Sequence, residues 1–288
     1  MARLLRATVK KELDALIRDA DPVIPQESAR IERYRRDPAS IMSDAGFPPD
    51  PWQAQFLASN DRFNLMLCSR QVGKSLTVSM LALHALLTGP GKLTIIVAQR
   101  QDQAAELLRK SVTAFYQIGA PLPVARQGAT HFELENGARI LALPGEERAM
   151  HGPTANLLII DEAARVPDAV YTAASPQLSA SKGRLVALST AFSKSGWFYK
   201  EWTEGQGFRR WSITAKECPR HTPEFLARER RSMGDRWFAM TYMNVFGDDV
   251  AAVFSVDDIK AAVSSEVRPL FAPKTSGDNG VKPLFGTR

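Results

Sequence analysis

Cysteine is almost missing from this 288-residue chain, which holds only Cys68 and Cys218. Two thiols cannot staple a fold or supply a four-ligand metal site, so neither a disulfide scaffold nor a zinc module is expected, and a reducing cytoplasm is the simplest home. The histidines, His84, His131, His151 and His221, show no metal-ligand spacing, and His84 reads as a packed or surface residue. Long apolar runs are missing as well. The longest, residues 78–87, is broken by Ser79 and His84 and falls short of the about 20 residues that cross a bilayer, so no membrane partner is expected. A secretion signal is not expected either, because Lys10, Lys11, Glu12 and Asp14 stand where its apolar core belongs. What remains is an ordinary globular balance, 44% hydrophobic and 24% charged, which excludes wholesale disorder, collagen and coiled coil. At roughly 150 residues per domain, the length allows one large domain or two small ones.

The net charge of +6 is compatible with a nucleic-acid partner without demonstrating one. Residues 192–236 carry ten basic side chains against six acidic ones, the pattern of a solvated helix face or of a surface for an anionic polymer. Residues 1–50 read as a helical segment, with Leu4, Leu5, Val9, Leu13 and Ile17 on one face. Phe47-Pro48-Pro49-Asp50-Pro51 then breaks the chain. From residue 63 onward short apolar runs alternate with longer helical ones. Strands are expected at 63–68, 93–98, 139–143, 157–161, 185–190 and 210–214. Helices are expected at 74–88, stopped by Gly89-Pro90, and at 102–117. Residues 131–135 and 139–143, joined at Asn136-Gly137, read as a hairpin. Strand–helix alternation with nearly continuous apolar strands predicts an α/β domain built on a largely parallel sheet. Residues 272–288, rich in Gly, Pro, Lys and Ser, are expected to be disordered.

Four segments carry chemistry. The run Phe63 to Cys68, a short loop, then Gly73-Lys74-Ser75 and a helical stretch is the context of a phosphate-binding loop. Amides at a helix N-terminus surround phosphates, and the glycine lets the backbone approach them. Lys74 would reach the β- and γ-phosphates and the Ser75 hydroxyl would ligate Mg²⁺. The second segment, Leu157-Leu158-Ile159-Ile160-Asp161-Glu162, places two carboxylates at the C-terminal edge of a buried strand, where open α/β sheets bind ligands. Asp161 would serve the Mg²⁺ shell and Glu162 would orient and deprotonate the attacking water. The third is a strand ending in Ser189-Thr190, hydroxyls placed to sense a γ-phosphate and pass that state onward. The fourth is Trp52-Gln53 with Phe56. Gln53 offers an amide suited to an adenine edge, and Trp52 and Phe56 read equally as core residues four apart. Trp197, Trp202 and Trp211 read as core packing near basic residues, and Cys218 as a buried or loop thiol.

Cys68-Ser69-Arg70-Gln71-Val72-Gly73-Lys74-Ser75 closely resembles the variant phosphate loop of large terminase subunits, the DNA-packaging ATPases of tailed bacteriophages. Those loops often lack the first glycine, here Cys68, and carry an internal arginine, here Arg70. The order of the remaining motifs is similar: Trp52-Gln53, then Ile160-Asp161-Glu162-Ala163-Ala164, then Ser189-Thr190-Ala191. Residues 145–152 and Ala215-Lys216-Glu217-Cys218-Pro219 are also similar. The resemblance runs from about residue 37 to 258. It implies a P-loop ATPase that uses ATP and Mg²⁺. Ser69, Gln71, Val72, Gly73, Lys74, Ser75 and Leu76 would hold the phosphates and Gln53 the base. Ser75 and Asp161 would face the metal, and Glu162, Arg70 and Lys74 would do the chemistry. Ser189 and Thr190 would couple it to motion.

The resemblance further implies a homo-oligomeric ring at the procapsid portal in the host cytoplasm. Its partners would be double-stranded DNA, the portal protein and the small terminase subunit. Where relatives have Arg-Gly ahead of the acidic strand, this chain has His151-Gly152, with Arg148 shortly before. The expected organisation is a helical segment at 1–50, the ATPase domain at 51–258 and a linker or tail at 259–288. Asp257-Asp258 reads as a helix start, and nuclease activity is not expected in this chain. The alternatives are another DNA translocase or helicase-like ATPase, and a nucleotide-binding assembly module that does not turn over.

Overall fold

In the computed structural model, described over residues 23–150 and 154–248, the apolar runs become the strands of a single sheet. The elements are, in chain order, α1 (Val23–Arg36), α2 (Ser40–Asp44), α3 (Pro51–Ala58), β1 (Phe63–Cys68), α4 (Lys74–Thr88), β2 (Leu93–Ala98), α5 (Gln101–Gln117), β3 (Val124–Gln127), β4 (His131–Leu134), β5 (Arg139–Pro144), β6 (Leu157–Asp161), α6 (Asp168–Ala174), β7 (Arg184–Ser189), α7 (Gly196–Thr203), β8 (Arg209–Ile213) and α8 (Pro223–Tyr242). The sheet has eight strands in the order β3-β4-β5-β2-β6-β7-β1-β8. From β5 to β8 every neighbouring pair is parallel; β4 runs antiparallel to both β3 and β5.

Strand alternation divides the core into two layers. On one face Met66, Cys68, Ile96, Ile159 and Val186 pack with α4, α5 and the N-terminal helices. On the other, Leu65, Leu67, Val97, Leu158 and Ile160 pack with α6 and α7, where Trp197 lies flat against Tyr171 at 4.1 Å. This covering on both faces is why the central strands are apolar at nearly every position. His84 is a packing residue: its Nε2 donates to the Tyr34 carbonyl at 3.0 Å and ties α4 to α1. Trp52, Phe56 and Trp197 are buried, Trp202 and Trp211 pack at the core margin, and both cysteines are buried free thiols.

The register fixes the functional edge. Leu67 of β1 pairs with Ser189 of β7, and Leu188 of β7 pairs with Asp161 of β6. The phosphate loop, the hydroxyl pair and the two acids therefore leave the sheet side by side. Strand β7 lies between the loop strand and the acidic strand.

Strands β7 and β8 each begin and end one residue earlier than expected, so Thr190 and Thr214 lie just beyond them, and β5 runs one residue further, to Pro144. The hairpin strand stops at Leu134: Glu135 donates its amide to the Pro123 carbonyl at 3.0 Å, but Pro123 has no amide to return. Strand β3 had no sequence signature. It is an edge strand, exposed over Ala125-Arg126-Gln127, and has no buried face to impose alternation. The amphipathic pattern at 4–17, the Asp257-Asp258 pair and the 272–288 tail lie outside the described residues. Among the described residues, no helix is long and apolar enough to cross a membrane.

Phe56 is fully buried, meets Trp211 edge-on at 5.5 Å and is covered by Arg184 at 5.3 Å. Phe56→Ala is expected to lower the unfolding free energy by about 3–5 kcal/mol. Urea denaturation should show this as a fall in midpoint with an unchanged slope.

Candidate nucleotide-binding and hydrolysis site

The loop between β1 and α4 is held by its backbone. Ser69 donates its amide to Ile213 at 2.8 Å and Arg70 donates its amide to Thr241 at 3.1 Å. Gln71 and Gly73 have φ of 60° and 94°, which turns the chain into the helix. Gly73 is required twice over. Its φ is left-handed, and a Cβ there would stand 2.8 Å from Gln53 Nε2. The first turn of α4 leaves its amides unpaired within the helix, so they can receive an anion. The loop therefore has the strand-to-helix backbone geometry that a phosphate cradle requires. Cys68 behind it is no nucleophile, because burial pushes its thiol up to about 12.

The acids face this loop. Lys74 Nζ donates to Glu162 Oε1 at 2.6 Å, and Arg165 Nη1 donates to Glu162 Oε2 at 2.8 Å. Glu162 has φ 49° and ψ 41°, a left-handed conformation uncommon for a residue with a side chain. Its amide donates to Asp161 Oδ1 at 2.9 Å. Burial pushes the Glu162 carboxyl up, but the charge and hydrogen bond of Lys74, with Arg165 and Arg70, outweigh it and hold the group below its ordinary value. Asp161 is raised by its own burial and by Glu162 beside it, against the pull of Lys74. Burial would lower Lys74, yet Glu162 and Asp161 keep it above the ordinary lysine value. The cluster thus pairs the Lys74 ammonium with Glu162, with the charge of Asp161 close by, a site that a polyphosphate can enter by taking over the ammonium.

Each sequence-derived site residue can be placed. Ser189 is buried and its Oγ accepts from the Ala164 amide at 3.3 Å, so the end of β7 is tied to the turn that follows the acids. Thr190 is buried beside it. Val72 is fully buried and Leu76 packs at the core margin, so they contribute backbone to the loop and side chain to the interior. Arg70 is exposed within the loop. Gln53 has both ends of its amide engaged: Oε1 accepts from the Asp50 amide and Nε2 donates to Thr77 Oγ1, each at 2.8 Å. Thr77 in turn donates to the Gly73 carbonyl at 3.0 Å. In this arrangement Gln53 braces the loop, and reading a base would require it to exchange its bond to Thr77. Arg148 is exposed and paired with Glu146 at 2.7 Å; His151 lies outside the described residues.

Sequence reasoning missed two arginines. Arg165 lies three residues beyond Glu162 on the same short turn, a spacing that could have been noticed. Arg220 had no local signal, because its partners are distant in sequence. It donates to Asp50 at 3.1 and 2.8 Å and to the Val72 carbonyl at 3.2 Å, clamping the loop to the N-cap of α3.

The two residues expected to face a cation, Ser75 and Asp161, would offer hard oxygens, a hydroxyl and a carboxylate. Such a set suits Mg²⁺, an ion that keeps waters and substrate phosphates among its ligands rather than a full protein cage.

Comparison with known proteins places the chain among proteins of the same fold. A family model described as terminase large subunit, T4likevirus-type, N-terminal, matches residues 65–261. The large terminase ATPase domain of Thermus phage P74-26 superposes with a TM-score of 0.63 at 22% identity, covering 72% of this chain and 97% of that one. The large terminase of a thermophilic bacteriophage, in complex with ADP, gives a TM-score of 0.58 at 14% identity, over 69% of this chain and 54% of that one. The HK97 bacteriophage large terminase gives 0.55 at 16% identity, over 68% and 50%. At these identities the likeness establishes a shared fold, and the chain spans about half the length of the ADP-bound and HK97 proteins.

Gly73→Ala places a Cβ against Gln53 in a left-handed position and is expected to weaken nucleotide binding at least tenfold in fluorescence titrations with a labelled ATP analogue, a scale consistent with about 1.4 kcal/mol of strain. Arg220→Ala is expected to weaken it by a smaller factor, since it loosens the loop without obstructing it.

Proposed function

Because the chain belongs to the terminase large subunit family, we propose that it is the ATP-hydrolysing part of a motor that drives double-stranded viral DNA into a procapsid. The observation that carries this reading is the 2.6 Å contact between Lys74 on the phosphate loop and Glu162 at the end of β6. It joins, at one edge of the sheet, the lysine to which we assign the phosphates and the glutamate to which we assign the proton transfer.

The roles follow from the chemistry of each group. The amides of Gln71 to Leu76 receive the phosphates, and Lys74 transfers its ammonium from Glu162 to the β- and γ-phosphates. Glu162, relieved of Lys74, accepts a proton from the water whose oxygen attacks the γ-phosphorus. The bond from that phosphorus to the β-phosphate oxygen breaks, and ADP and phosphate leave. Arg70, exposed in the loop, adds positive charge where the transferring group becomes more negative. Ser75 and Asp161 would hold Mg²⁺, which when bound neutralises charge on the β- and γ-phosphates. Ser189 and Thr190, at the end of the strand between the loop and the acids, report phosphate loss to the chain beyond residue 191.

That chain includes α8, whose exposed arginines, among them Arg228 and Arg231, supply a positive surface suited to a sequence-independent grip on the DNA backbone. The C-terminal end of α8 is tied to the loop, because Thr241 accepts the Arg70 amide. The working assembly we propose is a ring of this chain on the portal, fed by the small terminase subunit, in the host cytoplasm.

Lys74→Ala is expected to lose nucleotide binding. Glu162→Gln is expected to keep binding and lose turnover by about 10²–10⁴-fold. Both are measured as ATPase with DNA and the assembled ring present. Turnover should also stop on chelation of Mg²⁺ and return when it is restored. DNA binding should fall steeply with added salt, with little dependence on sequence.

A further inference from the structure

The Glu162 carboxylate is held by two cations of different kinds. Oε1 receives Lys74, which belongs to the phosphate loop, and Oε2 receives Arg165, which belongs to Glu162's own turn. The Arg165 amide also donates to the Glu162 carbonyl at 2.8 Å, so this arginine moves with the glutamate and not with the loop. The Arg165 guanidinium in turn lies 4.6 Å over the ring of Phe192. Phe192 follows directly on Ser189-Thr190-Ala191, and its backbone is fixed, since its carbonyl accepts from the Gly247 amide at 2.7 Å. The acidic turn and the hydroxyl-bearing segment are therefore tied twice: Ala164 to Ser189 through an amide–hydroxyl bond, and Arg165 to Phe192 through a guanidinium on a ring.

We propose that Arg165 is the positioning residue for Glu162, and that Phe192 makes this positioning depend on the segment after β7. The proposal rests on reading Glu162 as the base. Once the triphosphate takes Lys74, Arg165 is the charge-assisted contact that keeps the carboxylate in place, and it occupies Oε2 so that Oε1 faces the water. Because the guanidinium is planar and seated on the ring, a shift of residues 189–192 rotates it and takes the glutamate with it. Hydrolysis and motion thus share one lever.

The test is steady-state ATPase of the assembled, DNA-bound ring, with nucleotide affinity measured separately and thermal denaturation as a folding control. Arg165→Ala is expected to lower kcat about 10–100-fold, part of the about 10²–10⁴-fold that general-base catalysis contributes, with nucleotide affinity unchanged. Arg165→Lys, which keeps the charge and loses the planar fork, is expected to recover part of that loss. Phe192→Leu, which leaves Arg165 intact, is expected to lower kcat less. The double variant is expected to be no worse than Arg165→Ala alone, the non-additivity of residues acting as one unit. If Arg165→Ala fails to fold, Phe192→Leu alone decides: reduced kcat at unchanged affinity supports the proposal and unchanged kcat overturns it. Wild-type turnover in Arg165→Ala, an equal loss of kcat and affinity, or additive effects of the two substitutions would also overturn it. Glu162→Gln separates the two levels. If it is inactive while Arg165→Ala is normal, only the positioning role falls. If it turns over normally, the base assignment falls and the positioning role with it.

Discussion

The Lys74 ammonium paired with the partly buried Glu162, beside the buried Asp161, is the constraint on which the rest of this molecule depends. Lys74, Asp161 and Glu162 could not be brought together in the interior as isolated charges, since each would be neutralised by burial. They coexist because they meet, and they meet because the sheet delivers them to one edge. The parallel register of β1, β7 and β6, the helices covering both faces and the left-handed turn at Glu162 serve this encounter. An arrangement held by opposite charges is also open to exchange, because a polyphosphate can substitute for the acids as partner to the lysine.

Around this centre the protein builds fixed supports of two kinds. The loop is braced by a chain running from Arg220 through Asp50 and Gln53 to Thr77 and Gly73. The acidic turn is braced by Ser189 and by Arg165 on Phe192. The two sets of supports are separate, which leaves Lys74 to Glu162 as the direct side-chain bond between loop and acids. A movement at that bond is consequently felt by each support in turn, toward α8 on one side and toward the end of β7 on the other.

Much of this was legible in the sequence, because its elements are short and strongly patterned. Apolar runs such as Leu157 to Ile160 can only be strands covered on both faces, and Gly73-Lys74-Ser75 between a strand and a helix has few other uses. The antiparallel hairpin at Asn136-Gly137 followed from turn chemistry. What escaped was long-range or unpatterned. Strand β3 lies exposed at the sheet edge and leaves no periodic trace. Arg220 sits in a basic stretch that reads as surface, yet it reaches Asp50 and Val72, which are remote in the chain. Gln53 was legible as a functional amide but not as a brace, because the bond to Thr77 exists only once α3 packs on α4. Arg165 was within reach of local reasoning. Its pairing with Glu162 follows from a three-residue spacing on one turn.

The most direct measurement is an experimental structure of the chain with a slowly hydrolysed ATP analogue and Mg²⁺. The account requires the phosphates on the amides of the loop at residues 71–76, with Lys74 Nζ withdrawn from Glu162 to the β- and γ-phosphates and Glu162 still facing the γ-phosphate. A nucleotide bound elsewhere, or a Lys74–Glu162 contact that persists with the analogue fully bound, would contradict it.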